Sequence, residues 1–141
     1  MTVSAPPPVL SEAEFQRALI DRFKECGYLV NRVYRLRTQS GAWLTSTTLK
    51  GLPDLMAVGR SCTVWTEVKS AVGAVSAEQL VVLDAFAEIE TNRCWLVRPT
   101  DDLQAIANWI QDPLSAPRRF GFDAGTLGAA LRTKSGKTTR R

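Results

Sequence analysis

The apolar positions of this chain change their period several times, and each change marks an element. Over residues 12–26, Phe15, Leu19, Phe23 and Cys26 recur at helical spacing. Ser11 and Glu14 form an S-x-x-E capping box ahead of them, and Gly27 is a natural stop behind them. Residues 28–37 read as a strand, Gln39-Ser40-Gly41 as a turn, and residues 43–48 as a hairpin arm pairing back. A further strand is expected over 51–58, entered through Pro53. Another follows the Gly59-Arg60 turn over 62–69, and 72–75 is a loop. Ser76 opens a second helix to about residue 90, with Gln79 completing a second capping box. Residues 93–98 form a short apolar strand ended by Pro99. Thr100 is the expected cap of a third helix through Ile110, closed by Asp112-Pro113. Past Pro117 the pattern weakens: Phe120 and Phe122 are expected to pack back onto the body, and 124–131 to form a short helix.

The order is helix, three strands, helix, strand, helix. Three consecutive strands can be antiparallel neighbours, and the helix before the fourth permits a right-handed crossover to a parallel one. The expected class is therefore α/β, a mixed sheet with helices on both faces. At 141 residues and 15.5 kDa the chain suits one domain, placed at 11–131. Residues 1–10, with three consecutive prolines, are expected to be disordered, and 132–141 form a basic tail.

Composition narrows the chemistry. There is no histidine, which excludes Ser-His-Asp and Cys-His catalysis and any metal site that needs imidazole. Cys26, Cys62 and Cys94 are too few and too scattered for a disulfide framework, so they read as small buried residues in a reducing cytoplasm. No apolar run is long enough for a membrane helix, and the N-terminus lacks the charge and hydrophobicity of a signal peptide. The net charge of +4 lies in the tail: residues 132–141 hold Arg132, Lys134, Lys137, Arg140 and Arg141 and no acid. Such a tail suits a phosphate backbone, or is simply solvated.

Polar residues on core-facing stripes need a reason. On a helical wheel Glu12 sits within ~60° of Phe15, Leu19 and Phe23, so it is expected to face the body, with Gln16 one turn on. Gln79 falls at the centre of the stripe made by Val82, Leu83 and Phe86. Alternation along 63–69 puts Trp65, Glu67 and Lys69 on one face and Val64, Thr66 and Val68 on the other. If the strands pair, Asp54 and Glu67 converge at one end of the sheet. Two adjacent carboxylates repel unless a cation sits between them, and oxygen ligands select a hard one, Mg²⁺ or Mn²⁺. With a neighbouring lysine, this is a kit for attacking a phosphodiester with water. The ordinary reading of Glu67 and Lys69 is a surface salt bridge. The conjunction of Pro53-Asp54, Glu67-Val68-Lys69, Glu12 and Gln79 is what exceeds it.

These residues resemble the PD-(D/E)XK nuclease superfamily. Gly51-Leu52-Pro53-Asp54-Leu55 followed by Thr66-Glu67-Val68-Lys69 carries the resemblance, which is greatest to the VRR-NUC branch, and it spans about residues 11–110. It implies a PD-(D/E)XK core and metal-dependent DNA cleavage. Asp54, Glu67 and the Val68 carbonyl would bind Mg²⁺ or Mn²⁺. Lys69 would position or activate the attacking water, Glu12 would hold a metal-bound water or a second ion, and Gln79 would support the site or touch the substrate backbone. Small members of this kind come from phages and bacteria and are often homodimers. Some cut branched DNA such as four-way junctions. Arg32, Arg35 and Arg37, with Ser76, Lys134 and Lys137, are the expected DNA contacts. Trp65, Trp95 and Trp109 read as core rather than as base-stacking platforms. The alternative function is a nucleic-acid-binding module that keeps the fold without catalysis.

Overall fold

A computed structural model describes residues 9–33 and 51–123. Helix α1 spans Glu12–Glu25, β1 Leu29–Arg32, β2 Leu55–Val58, β3 Thr63–Val68, α2 Ala77–Ala87, β4 Asn92–Val97, α3 Leu103–Gln111 and β5 Arg119–Phe120, with a 3₁₀ turn at Pro113–Ser115. The sheet has five strands in the order β1-β2-β3-β4-β5. β2 lies antiparallel between β1 and β3, while β4 runs parallel to β3 and β5 parallel to β4. The fold is thus α/β with a mixed sheet.

Local sequence explains the element ends. Ser11 and Glu14 exchange both capping-box hydrogen bonds, as do Ser76 and Gln79. α1 stops in a Schellman motif: Gly27 adopts φ +86°, its N–H donates to the Lys24 carbonyl, and the Tyr28 N–H donates to the Phe23 carbonyl. The third helix departs from expectation. Its cap is Asp102, whose Oδ1 accepts the Ala105 N–H at 3.1 Å, rather than Thr100. The strand expected over 51–58 begins only at Leu55, and α2 ends at Ala87 rather than near residue 90. β5, two residues long, is too short to leave a periodic signal. The hairpin arm at 43–48, the helix at 124–131 and the basic tail lie outside the described residues.

The helices cover both faces. On one, α1 and α3 bury Phe15, Leu19, Phe23, Ile106 and Ile110 against Leu55, Val64, Val68, Trp95 and Val97. On the other, α2 buries Leu80, Leu83 and Ala87 against Cys94, Leu96 and Phe122. β4 is buried along its whole length because it is central and covered twice, which is why it reads as a continuous apolar run. Trp95 is fully buried, and Trp65 and Trp109 pack at the margins of the two clusters, as core residues do. Cys62 and Cys94 are buried free thiols, and Cys26 is half-buried. No helix among the described residues is long and apolar enough to cross a membrane.

Candidate active site

Strand register sets the site. Leu55 lies opposite Thr66, so the next pair outward is Asp54 opposite Glu67. Opposed residues of an antiparallel pair share a face and lie close together. The Asp54 carboxylate turns across to β3, and its Oδ2 accepts the Val68 N–H at 2.9 Å. Its carbonyl accepts the Val33 N–H at 2.8 Å, so the end of β1 lies at the same edge.

Glu67 is only 2% exposed. One of its oxygens, Oε1, accepts the Gln79 side-chain N–H at 2.9 Å and lies 3.7 Å from Lys69 Nζ. Oε2 is buried with no hydrogen-bond partner among the described residues. Asp54, opposite it in the register, is close enough for its charge to act on this carboxyl group. Two neighbouring carboxylates, one with a buried oxygen that lacks a donor, favour a shared proton or a cation. Burial chiefly, then the charges of Asp54 and Glu12, push the Glu67 carboxyl up to about 8, with Lys69 pulling the other way.

Gln79 both caps α2 and reaches Glu67. Its Oε1 accepts the Ser76 N–H at 3.0 Å to complete the cap, which leaves its amide N–H free to fasten Glu67. Gly51 makes this possible. It adopts φ +86°, and a Cβ there would lie 2.7 Å from the Glu78 carbonyl group and 2.8 Å from the Gln79 nitrogen. Only glycine lets the segment leading into Asp54 pack directly on the first turn of α2.

Pro53 adds a further consequence. Continuing the register puts it opposite Val68, whose N–H faces the β2 side, toward Asp54. In an antiparallel strand a residue's N–H and C=O point the same way, and proline has no N–H to offer. The Val68 carbonyl is therefore left without a ladder partner beside the two carboxylates.

Glu12 does not face the core as the helical wheel implies. It is exposed in the first turn of α1, yet it stays near enough for its charge to be felt at Glu67. Arg32 is exposed on β1 and pairs with Leu55, one position from the site edge. Arg35, Arg37, Lys134 and Lys137 lie outside the described residues. Arg98, at the end of β4, has no prominence in the sequence pattern, because it merely follows an apolar strand.

No group of three or more His, Cys, Asp or Glu side chains able to hold a metal occurs among the described residues. A protein-only cage is not what Mg²⁺ or Mn²⁺ needs, since such ions keep several waters and use one or two carboxylates. The pair Asp54 and Glu67, with the unpartnered Oε2 and the Val68 carbonyl, fits that donor set. No family model matches this chain, and neither does any curated protein.

Proposed function

We propose that this chain is a divalent-metal-dependent DNA endonuclease of the PD-(D/E)XK type, VRR-NUC branch, that hydrolyses phosphodiester bonds in branched DNA. The observation that carries the reading is the meeting of Asp54 with a buried Glu67 whose Oε2 lacks a donor, beside Lys69. The order α-β-β-β-α-β, with three antiparallel strands and a parallel fourth, supports the same core.

In this reading Asp54, Glu67 and the Val68 carbonyl hold Mg²⁺ or Mn²⁺. When bound, the ion supplies Lewis acidity toward a phosphoryl oxygen and lowers the pKa of water. Lys69 orients the attacking water and offsets negative charge as the phosphorane-like state develops. Gln79 holds the Glu67 carboxylate in one rotamer, so the ligand is in place before substrate arrives. Glu12 adds negative charge at the rim, suited to a metal-bound water or a second ion. Arg32, which pairs with Leu55 and so shares the α1 face of the sheet near this edge, is available to a phosphate farther along the DNA backbone.

The test is cleavage of a labelled four-way junction and of the matching linear duplex, each with Mg²⁺, Mn²⁺ or EDTA and with Lys69→Ala as control. Metal-dependent, paired symmetric cuts in the junction, absent in Lys69→Ala, are the expected result, and they would also indicate a two-fold dimer. Cuts in flaps or linear duplex instead would keep the nuclease and discard the junction specificity. Tight, salt-sensitive binding with no cutting of any substrate would replace the enzyme by a binding module.

A further inference from the structure

Arg98 directly follows β4 and is half-buried at the sheet edge that carries Lys69. Val68 lies opposite Val97 in the parallel pair, so Lys69 and Arg98 leave equivalent strand ends. The Lys69 N–H donates to the Val97 carbonyl at 3.0 Å. The Arg98 backbone is anchored by a reciprocal pair. Its N–H donates to Asp101 Oδ2 at 2.7 Å, and its carbonyl accepts the Asp101 N–H at 3.0 Å. From that anchor Arg98 Nη1 donates to the Ser70 carbonyl at 2.7 Å.

The same carbonyl accepts the Gly73 N–H at 3.3 Å, closing the turn over 70–73. This turn passes close to the lysine stem: even a single Cβ added at Gly73 would come within 2.9 Å of Ser70 Oγ and 3.7 Å of Lys69 Cδ. The backbone bond that closes the turn is long. The bond from the guanidinium is short and charge-assisted, and is the stronger of the two.

We infer that Arg98 is a positioning residue for Lys69: by gripping the Ser70 carbonyl it holds the 70–73 turn against the lysine stem and keeps the ammonium beside Glu67. The inference rests on the nuclease reading above, in which Lys69 serves the attacking water. Lysine is long and flexible, and an ammonium displaced by about 1 Å loses much of its catalytic value. Restraining the turn at its first carbonyl removes that freedom without touching the substrate.

The experiment compares wild type, Arg98→Ala, Arg98→Lys and Lys69→Ala. It measures single-turnover junction cleavage in Mn²⁺, DNA affinity across a salt series, and the melting temperature. The expected result is a loss of roughly tenfold or more in cleavage rate for Arg98→Ala, with DNA affinity and its salt slope unchanged. Arg98→Lys, which restores one cationic donor to the Ser70 carbonyl, should recover most of the rate. Full activity in Arg98→Ala overturns the inference while wild-type cleavage keeps the nuclease reading. Weaker binding with a shallower salt slope and an unchanged rate also overturns it, making Arg98 a phosphate contact instead. If Arg98→Ala melts markedly lower, the rates are compared at a temperature below its melting transition: a slow, folded Arg98→Ala with wild-type DNA affinity, recovered in Arg98→Lys, supports the positioning role, and a full rate in the folded Arg98→Ala refutes it. A wild type that cuts no DNA removes the nuclease reading and this inference together.

Discussion

Glu67 is buried beside Asp54 and takes its proton up to about 8, whereas an unfolded glutamate releases it near 4.5. Between those values the folded, metal-free protein holds a proton that the unfolded chain gives up. Stability from this group is therefore complete below pH 4.5 and is lost as pH rises toward 8. In EDTA, the wild-type melting temperature should fall from pH 5 to pH 8.5 relative to Glu67→Gln, whose amide does not titrate and can donate to Asp54. Parallel curves for the two proteins would show that Glu67 is not titrating in that window. Thr66 is a second buried polar residue on β3, fully enclosed and with its hydroxyl unpartnered among the described residues. Thr66→Val keeps the shape and removes the unpaired group, so urea denaturation should show a gain of about 1 kcal/mol. At this scale alternation identified Glu67 and Lys69 as neighbours on one face. It could not reveal that Glu67 is sealed from water, because that depends on α2 covering the face. Nor could the wheel place Glu12, since it reports angle and not distance from the core.

Among the elements, α2 has the most to do with the site. Its start is written in the sequence as Ser76 and Gln79, and the same glutamine binds Glu67. Gly51 lets the segment before β2 rest on that first turn. Gly51→Ala puts a methyl group into α2 backbone at a positive φ, so it should cost well over 1 kcal/mol in chemical denaturation. It should also reduce cleavage in the folded fraction, because the displaced turn carries Gln79. An activity loss explained wholly by unfolding would separate the two elements. Elements with strong local signals, such as the capped helices and apolar β4, are legible from their periods. β5 is not. It is held by pairing with β4 and by Arg119, which reaches Asp84 at 2.9 Å and Glu88 at 2.6 Å, contacts distant in the chain. The cap of α3 is likewise decided by neighbours: Asp101 is engaged with the Arg98 N–H, and the helix starts after Asp102.

In the whole molecule, α1 and α3 on one face and α2 on the other leave one sheet edge where the ends of β1, β3 and β4 meet the start of β2. Asp54, Glu67, Lys69 and Arg98 stand at that edge. If it is a metal site, Mn²⁺ should raise the melting temperature in a concentration-dependent way. The rise should be larger at pH 8 than at pH 6, because binding must displace the Glu67 proton. Asp54→Asn keeps an oxygen for the Val68 N–H but loses the charge, and it should abolish the rise. An equal shift in wild type and Asp54→Asn would place the ion elsewhere.

The sequence by itself determined the order of elements from α1 to α3, the inward and outward faces of β3, the two capped helix starts and the residue types at the edge. These follow from local rules of period, capping and chirality, which act over a few residues. Only the tertiary structure decided that Asp54 and Glu67 stand opposite each other, that Glu67 loses its water, that Pro53 gives the Val68 carbonyl no ladder partner and that Arg98 reaches Ser70. Each of those depends on strand register or on a contact between segments distant in the chain, and burial and electrostatics are properties of the assembled neighbourhood rather than of any one segment.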